Sequence, residues 1–145
     1  MLQPGTAAPN FSCADHHGKI VSLAGLHGKT VVLWFYPKAD TPGCTAEGCS
    51  FRDLTADFAA KQAVILGVSF DDAAANANFA KKFHFTFPLL CDVDRKLGLA
   101  FGACDDAKAR NARRIGVVID AQGKVLSYHP SVDARSWPAE VLASL

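Results

Sequence analysis

The sequence predicts an α/β fold: a central mixed β-sheet flanked by helices on both faces, with an N-terminal hairpin extension. Three observations carry this. Two continuous apolar runs rich in β-branched residues, T-V-V-L-W-F-Y (30–36) and A-V-I-L-G-V-S-F (63–70), read as strands buried on both faces. The stretch between them has apolar residues at helical spacing, so the unit is strand–helix–strand and implies a parallel pair with a right-handed crossover. Near the end, R-I-G-V-V-I-D (114–120) and K-V-L-S-Y-H-P (124–130) flank Ala121, Gln122 and Gly123 and read as a hairpin, which adds antiparallel strands.

The elements follow in order. Residues 11–23 predict a short hairpin around Asp15 to Gly18, with His16 and His17 as a solvated tip. Pro37 ends the first buried strand. A helix is expected after Gly43, with Phe51, Leu54 and Phe58 on one face and Arg52, Asp53, Asp57 and Lys61 mostly outward. Trp34, among aliphatic neighbours, reads as core. A helix over 73–83 starts at the Asp71-Asp72 pair and carries Phe79 and Phe83 four residues apart. Residues 87–92 read as a short extended segment and 93–102 as a short helix. Ser136, Pro138 and Glu140 mark the start of a last helix with Trp137, Val141 and Leu145 as its apolar stripe.

Composition bounds the function. The 145 residues suffice for one domain, 1–145, with no repeat or linker. Half are hydrophobic and the net charge is +1, which gives no reason to expect nucleic acid or an anionic membrane as partner. No apolar run is long enough to span a bilayer. The opening M-L-Q-P-G-T-A-A-P-N-F lacks a basic region followed by an apolar core, so a cytoplasmic protein is expected. The five cysteines, an odd number, do not suggest a secreted disulfide framework. Cys13, Cys91 and Cys104 read as small buried hydrophobes, although Cys104 lies in a polar loop and is a candidate exposed competitor.

Chemistry concentrates in P-K-A-D-T-P-G-C-T-A-E-G-C (37–49). Cys44 follows a loop leaving a buried strand and sits near a helix N-terminus, where partial positive charge and free N–H groups favour thiolate. Pro42 and Gly43 shape the turn, and the Thr41 hydroxyl is placed to hold a small polar substrate or the sulfur itself. The bland alternative is a buried cysteine at a strand–helix junction. Five residues along one helix would place the Cys44 and Cys49 Cα atoms about 8–9 Å apart, given the helix rise and radius. A disulfide needs about 4.4–6.8 Å. The pair therefore bonds only if the first turns unwind, which Gly48 makes easier. Otherwise Cys49 merely packs in the core. A thiol that arrives only by local unfolding suits a cycle in which peroxide first makes a sulfenic acid and the second thiol then condenses with it.

Pro37, Thr41 and Cys44 form P-x-x-x-T-x-x-C, which resembles the active-site signature of peroxiredoxins on a thioredoxin-like fold. The extended run F-Y-P-K-A-D-T-P-G-C-T-A-E-G-C-S-F-R-D is similar to the bacterioferritin-comigratory, or Q-type, subgroup. The likeness also takes in G-T-A-A-P-N-F, F-P-L-L-C-D-V-D and R-I-G-V-V-I-D-A-Q-G-K-V, nearly the whole chain. It implies a thiol-dependent peroxidase acting on hydrogen peroxide and organic hydroperoxides, with Cys44 peroxidatic and Cys49 resolving. Arg114 matches the active-site arginine, with Arg113 as fallback, since neighbours on a strand face opposite ways. Pro37 would shield the pocket, Thr41 would bind peroxide, and the amides near Gly43 and Cys44 would stabilise developing charge. Glu47 either pairs with Arg114 or supports the helix start electrostatically. No metal or other cofactor is implied. The expected reductant is thioredoxin, or else glutaredoxin, and a monomer is expected. The helix at 73–83 lacks the cysteine with which some relatives resolve, which favours Cys49.

Two other readings compete. A thiol–disulfide oxidoreductase or peroxide sensor would use the same disulfide to oxidise a partner protein, but the chain has no C-x-x-C. A metal-binding module could draw on Cys44, Cys49, His16, His17 and His84, but none has the short paired spacing of a structural zinc site.

Overall fold

A computed structural model describes residues 1–145. The central strand is β3 (Thr30–Phe35), and five of its six residues are buried. It pairs in parallel with β4 (Ala63–Ser69), which pairs in parallel with β5 (Leu89–Cys91). On its other side β3 meets β6 (Gly116–Ile119) antiparallel, and β6 meets β7 (Val125–His129) antiparallel. The five-stranded order is β5-β4-β3-β6-β7, the mixed sheet expected of the thioredoxin-like fold. The N-terminal hairpin pairs β1 (Ser12–Ala14) with β2 (Ile20–Ser22). It joins the edge of β5 through an Asp15–Leu90 bridge.

Strand alternation divides the core in two. Val31, Leu33 and Phe35 of β3 point to one face, where Phe11 and the Leu97 and Phe101 side chains of α4 (Lys96–Phe101) cover them. Val32 and Trp34, with Tyr36 just beyond, point to the other. There α1 (Pro42–Asp53), α2 (Thr55–Ala60), α3 (Ala73–Phe83) and α5 (Trp137–Ser144) contribute Phe51, Phe58, Phe79 and Trp137. Each such side chain stabilises the fold by about 1.5–3 kcal/mol on burial. Cys44 belongs to this second core. Trp34 is fully buried there, as expected.

Several expectations change in detail. The helix after β3 begins at Pro42, in the N1 position that tolerates proline, and breaks at Leu54. The Thr55 hydroxyl donates to the Phe51 carbonyl at 3.1 Å, a side-chain bond that competes with the helical ladder. The helix expected over 93–102 shrinks to α4 because buried Asp92 accepts from the Leu97 and Gly98 amides at 3.0 and 2.8 Å and caps it there. The sixth strand starts at Gly116, not Arg114, so the two arginines lie in the segment before it. Asp72 caps α3 by accepting from Ala75 N–H at 2.9 Å. Ser136 precedes α5 without capping it through its side chain. His16 is not a solvated tip: its Nδ1 accepts from the Leu89 N–H at 3.2 Å and ties the hairpin to β5, while His17 is exposed.

Candidate active site

Two side chains from neighbouring elements hold the loop 37–41. Asp71, at the end of β4, accepts from the Ala39 amide at 2.8 Å. Lys82 of α3 forms an ion pair with Asp40 at 3.0 Å. Asp40 itself is in the left-handed region at φ 59°, which turns the chain into α1. Asp71 escaped the sequence reading except as part of a helix start. Its position at the end of the strand beside β3 was the available signal, since neighbouring parallel strands end side by side.

Thr41 is the N-cap of α1, but its side chain does not cap the helix. Its hydroxyl donates to the Lys38 carbonyl at 2.7 Å instead. Two consequences follow. The Gly43 and Cys44 amides, among the first of the helix, have no intrahelical acceptor and remain available to a ligand. The Thr41 oxygen, with its proton directed to Lys38, presents lone pairs and acts toward a ligand as an acceptor.

Cys44 is completely buried. Arg114 brings the distant end of the chain to it. Its Nη2 lies 3.4 Å from Cys44 Sγ and its Nη1 donates to Glu47 Oε1 at 2.8 Å. A Cβ added at Gly43 would sit 2.9 Å from Arg114 Nη2, so glycine leaves the space in which the guanidinium lies. Burial opposes the Arg114 charge, but the bonds to Cys44 and Glu47 outweigh it and raise its pKa. Of the two roles open to Glu47, the structure shows the pairing with Arg114. Glu47 is fully buried and its second oxygen, Oε2, has no hydrogen-bond partner. Burial pushes its carboxyl up to about 7, against the lowering effect of Arg114. Arg113 turns away to an exposed ion pair with Asp105.

Cys49 is partly buried, and it and Cys44 are both free thiols on one unbroken helix. The helix geometry keeps their Cα atoms about 8–9 Å apart. Gly48 has a role beyond weak helix propensity: a Cβ there would lie 2.4 Å from Phe85 Cζ. Cys104 is not exposed. It is buried, packed against Gly98, and burial raises its pKa. Burial, with Asp92, Cys91 and Asp94 nearby, pushes the Cys13 thiol up to about 12. Cys91 is raised by burial, partly offset by a hydrogen bond from Asn76. No group of three or more His, Cys, Asp or Glu side chains is arranged to hold a metal ion. No helix is long and apolar enough to cross a membrane.

Known proteins resemble this chain closely. Residues 4–128 match the AhpC/TSA family model. Peroxiredoxin Bcp of Bacillus subtilis (strain 168) is 36% identical over 149 residues, covering 99% of this chain and 95% of that protein. Peroxidoxin BcpB from Mycobacterium tuberculosis superposes with a TM-score of 0.91 at 33% identity, over 99% of this chain and 96% of that one. The bacterioferritin comigratory protein of Xanthomonas campestris, solved as trapped intermediate and ligand complexes bearing on its alkyl peroxide reduction activity, gives 0.89 at 29% identity over 98% and 96%.

Proposed function

Because the chain belongs to the AhpC/TSA family, in its Bcp/PrxQ group of thiol-dependent peroxidases, we propose that Cys44 is the thiolate that attacks the peroxide. The observation that carries the reading is the Arg114 fork, one nitrogen on Cys44 Sγ and the other on Glu47, at the N-terminus of α1. The sulfur attacks the terminal oxygen of R–O–O–H. An S–O bond forms and the O–O bond breaks, leaving Cys44–S–OH and R–O⁻, which takes a proton from water to become R–OH. Arg114 and the Gly43 and Cys44 amides stabilise charge on the two oxygens. Thr41 accepts from the peroxide O–H, and Pro37 keeps bulk water off the loop.

Cys49 then condenses with the sulfenic acid after α1 unwinds locally, giving a disulfide and water. An external dithiol, thioredoxin or else glutaredoxin, restores both thiols. Hydrogen peroxide and organic hydroperoxides are the proposed substrates; the alkyl peroxide reduction named for the Xanthomonas relative supports the second class. We place the enzyme in the cytoplasm as a monomer. The complete burial of Cys44 supports a small peroxide over a protein disulfide as its oxidant.

The test is intact-mass and peptide-mapping spectrometry of the reduced protein after one equivalent of hydrogen peroxide, with remaining thiols alkylated. A Cys44–Cys49 linkage with Cys13, Cys91 and Cys104 alkylated is expected. Unmodified Cys44 would refute the assignment.

A further inference from the structure

Two separate sets of contacts hold α1. Its first turns are held by Arg114, which lies over Gly43 and bonds Cys44 and Glu47. Its second half is held by the end of α3. There His84, left-handed at φ 58°, turns the chain. The Phe83 carbonyl accepts from Arg52 Nη1 at 2.9 Å. Two residues on, the tip of the Phe85 ring rests on the backbone at Gly48, where no Cβ fits. Phe85 is fixed in turn, edge-on to Phe79 at 4.9 Å and stacked on Phe87 at 5.1 Å between ring centroids. Phe51, also in this half, is fully buried with its ring 5.6 to 5.8 Å from those of Trp34, Phe58 and Trp137.

Oxidation affects the two sets differently. While the sulfur is a thiolate, the Arg114–Cys44 contact at 3.4 Å joins two opposite charges, and a neutral sulfur accepts from the same guanidinium more weakly. A sulfenic acid is neutral, so the first turns loosen when Cys44 is oxidised. The Phe85 ring on Gly48 and the side-chain contacts of Phe51 and Arg52 do not involve the Cys44 sulfur, so its oxidation leaves their partners chemically unchanged.

We propose that the Arg52 bond to the Phe83 carbonyl and the Phe85 ring on Gly48 confine the unwinding of α1 to residues 42–47, so that Cys44 travels to a stationary Cys49. The inference rests on the reading of Cys49 as the resolving thiol. Cys44–S–OH and Cys49–S–H then give one S–S bond and one water, with no further oxidant or reductant. Arg52 and Phe85 are positioning residues for this step. A fixed target matters because the competing fate of the sulfenic acid is a second peroxide attack, which gives sulfinic acid. Fraying of the target lowers its effective concentration at Cys44.

Nuclear Overhauser effects on the labelled full chain, before and after one equivalent of hydrogen peroxide, test this, with peptide mapping of the same sample. Contacts between the Phe85 ring and the Gly48 Hα, and the Asp53 and Leu54 amide shifts, are expected to persist while the Gly43 to Glu47 amides move. A Cys44–Cys49 disulfide formed with loss of the Phe85–Gly48 contacts overturns the clamp and leaves the peroxidase reading standing. Failure of that disulfide to form overturns both the clamp and the resolving role.

Arg52→Ala supplies a second readout. Under excess peroxide, the sulfinic fraction at Cys44 is expected to rise about fivefold, which corresponds to about 1 kcal/mol, the usual worth of one hydrogen bond. Arg52→Lys, which retains a donor for the Phe83 carbonyl, is expected to bring it back. A merely structural role would move the unfolding midpoint without moving the sulfinic fraction. Equal sulfinic fractions in wild type and Arg52→Ala therefore overturn the proposal.

Discussion

Replacing Arg114 separates its role in chemistry from its role in stability. The guanidinium contacts Cys44 Sγ at 3.4 Å and Glu47 Oε1 at 2.8 Å, and only a planar fork serves both at once. Loss of one donor aimed at developing charge costs roughly 10²–10³ in rate. Arg114→Met should therefore slow sulfenic acid formation by about two orders of magnitude. The same change strands Glu47, fully buried and already lacking a partner at Oε2. Removing one member of a buried ion pair costs about 3–5 kcal/mol if the survivor stays charged. Glu47 escapes part of this by holding its proton, so the loss of stability should be larger at pH 8 than at pH 5. Adding Glu47→Gln should recover most of the stability and none of the rate. The assays are stopped-flow kinetics with hydrogen peroxide and urea unfolding at the two pH values. A double variant that regains the rate, or an Arg114→Met enzyme within twofold of wild type, would refute the reasoning.

Three further outcomes are expected. In the wild type, burial lifts the Glu47 carboxyl from 4.5 to about 7, so its protonated form favours the folded state. That contribution, about 3 kcal/mol, is complete below pH 4.5 and is lost as pH rises through about 7; the difference in unfolding free energy between wild type and Glu47→Gln should track this window. Thr41→Val removes the proposed acceptor for the peroxide and should lower the rate about tenfold, while loss of its exposed bond to the Lys38 carbonyl should lower stability by about 1 kcal/mol. Gly48→Ala should destabilise the protein by about 1–3 kcal/mol through overpacking against Phe85, despite a gain of about 1 kcal/mol in helix propensity; a more stable variant in urea unfolding would contradict the packing account.

The legible parts of this protein are those whose signal is local. The apolar run of β3 declares a strand buried on both faces, and its alternation feeds two cores as period two requires. Pro37, Thr41 and Cys44 are close in sequence and lie on one loop and one helix start, so their grouping could be read before any fold was known. The helix carrying both thiols, and hence their separation, followed from spacing alone.

What only the tertiary structure decided lies in contacts between elements distant along the chain. Arg114 was named through family resemblance, but its turn toward Cys44, and the turn of Arg113 toward Asp105, depend on where β6 begins beside β3. Spacing left two roles open for Glu47, and it pairs with Arg114 because α1 packs over that end of the sheet. Cys104 sits among polar neighbours in sequence yet is buried, because α4 and Gly98 close over it. Asp71 on Ala39, His16 on Leu89 and Phe85 on Gly48 carried no sequence signal as pairs. Periodicity reports which face of an element is apolar. It does not report which residue of another element that face meets, because the register and packing of the whole chain set that.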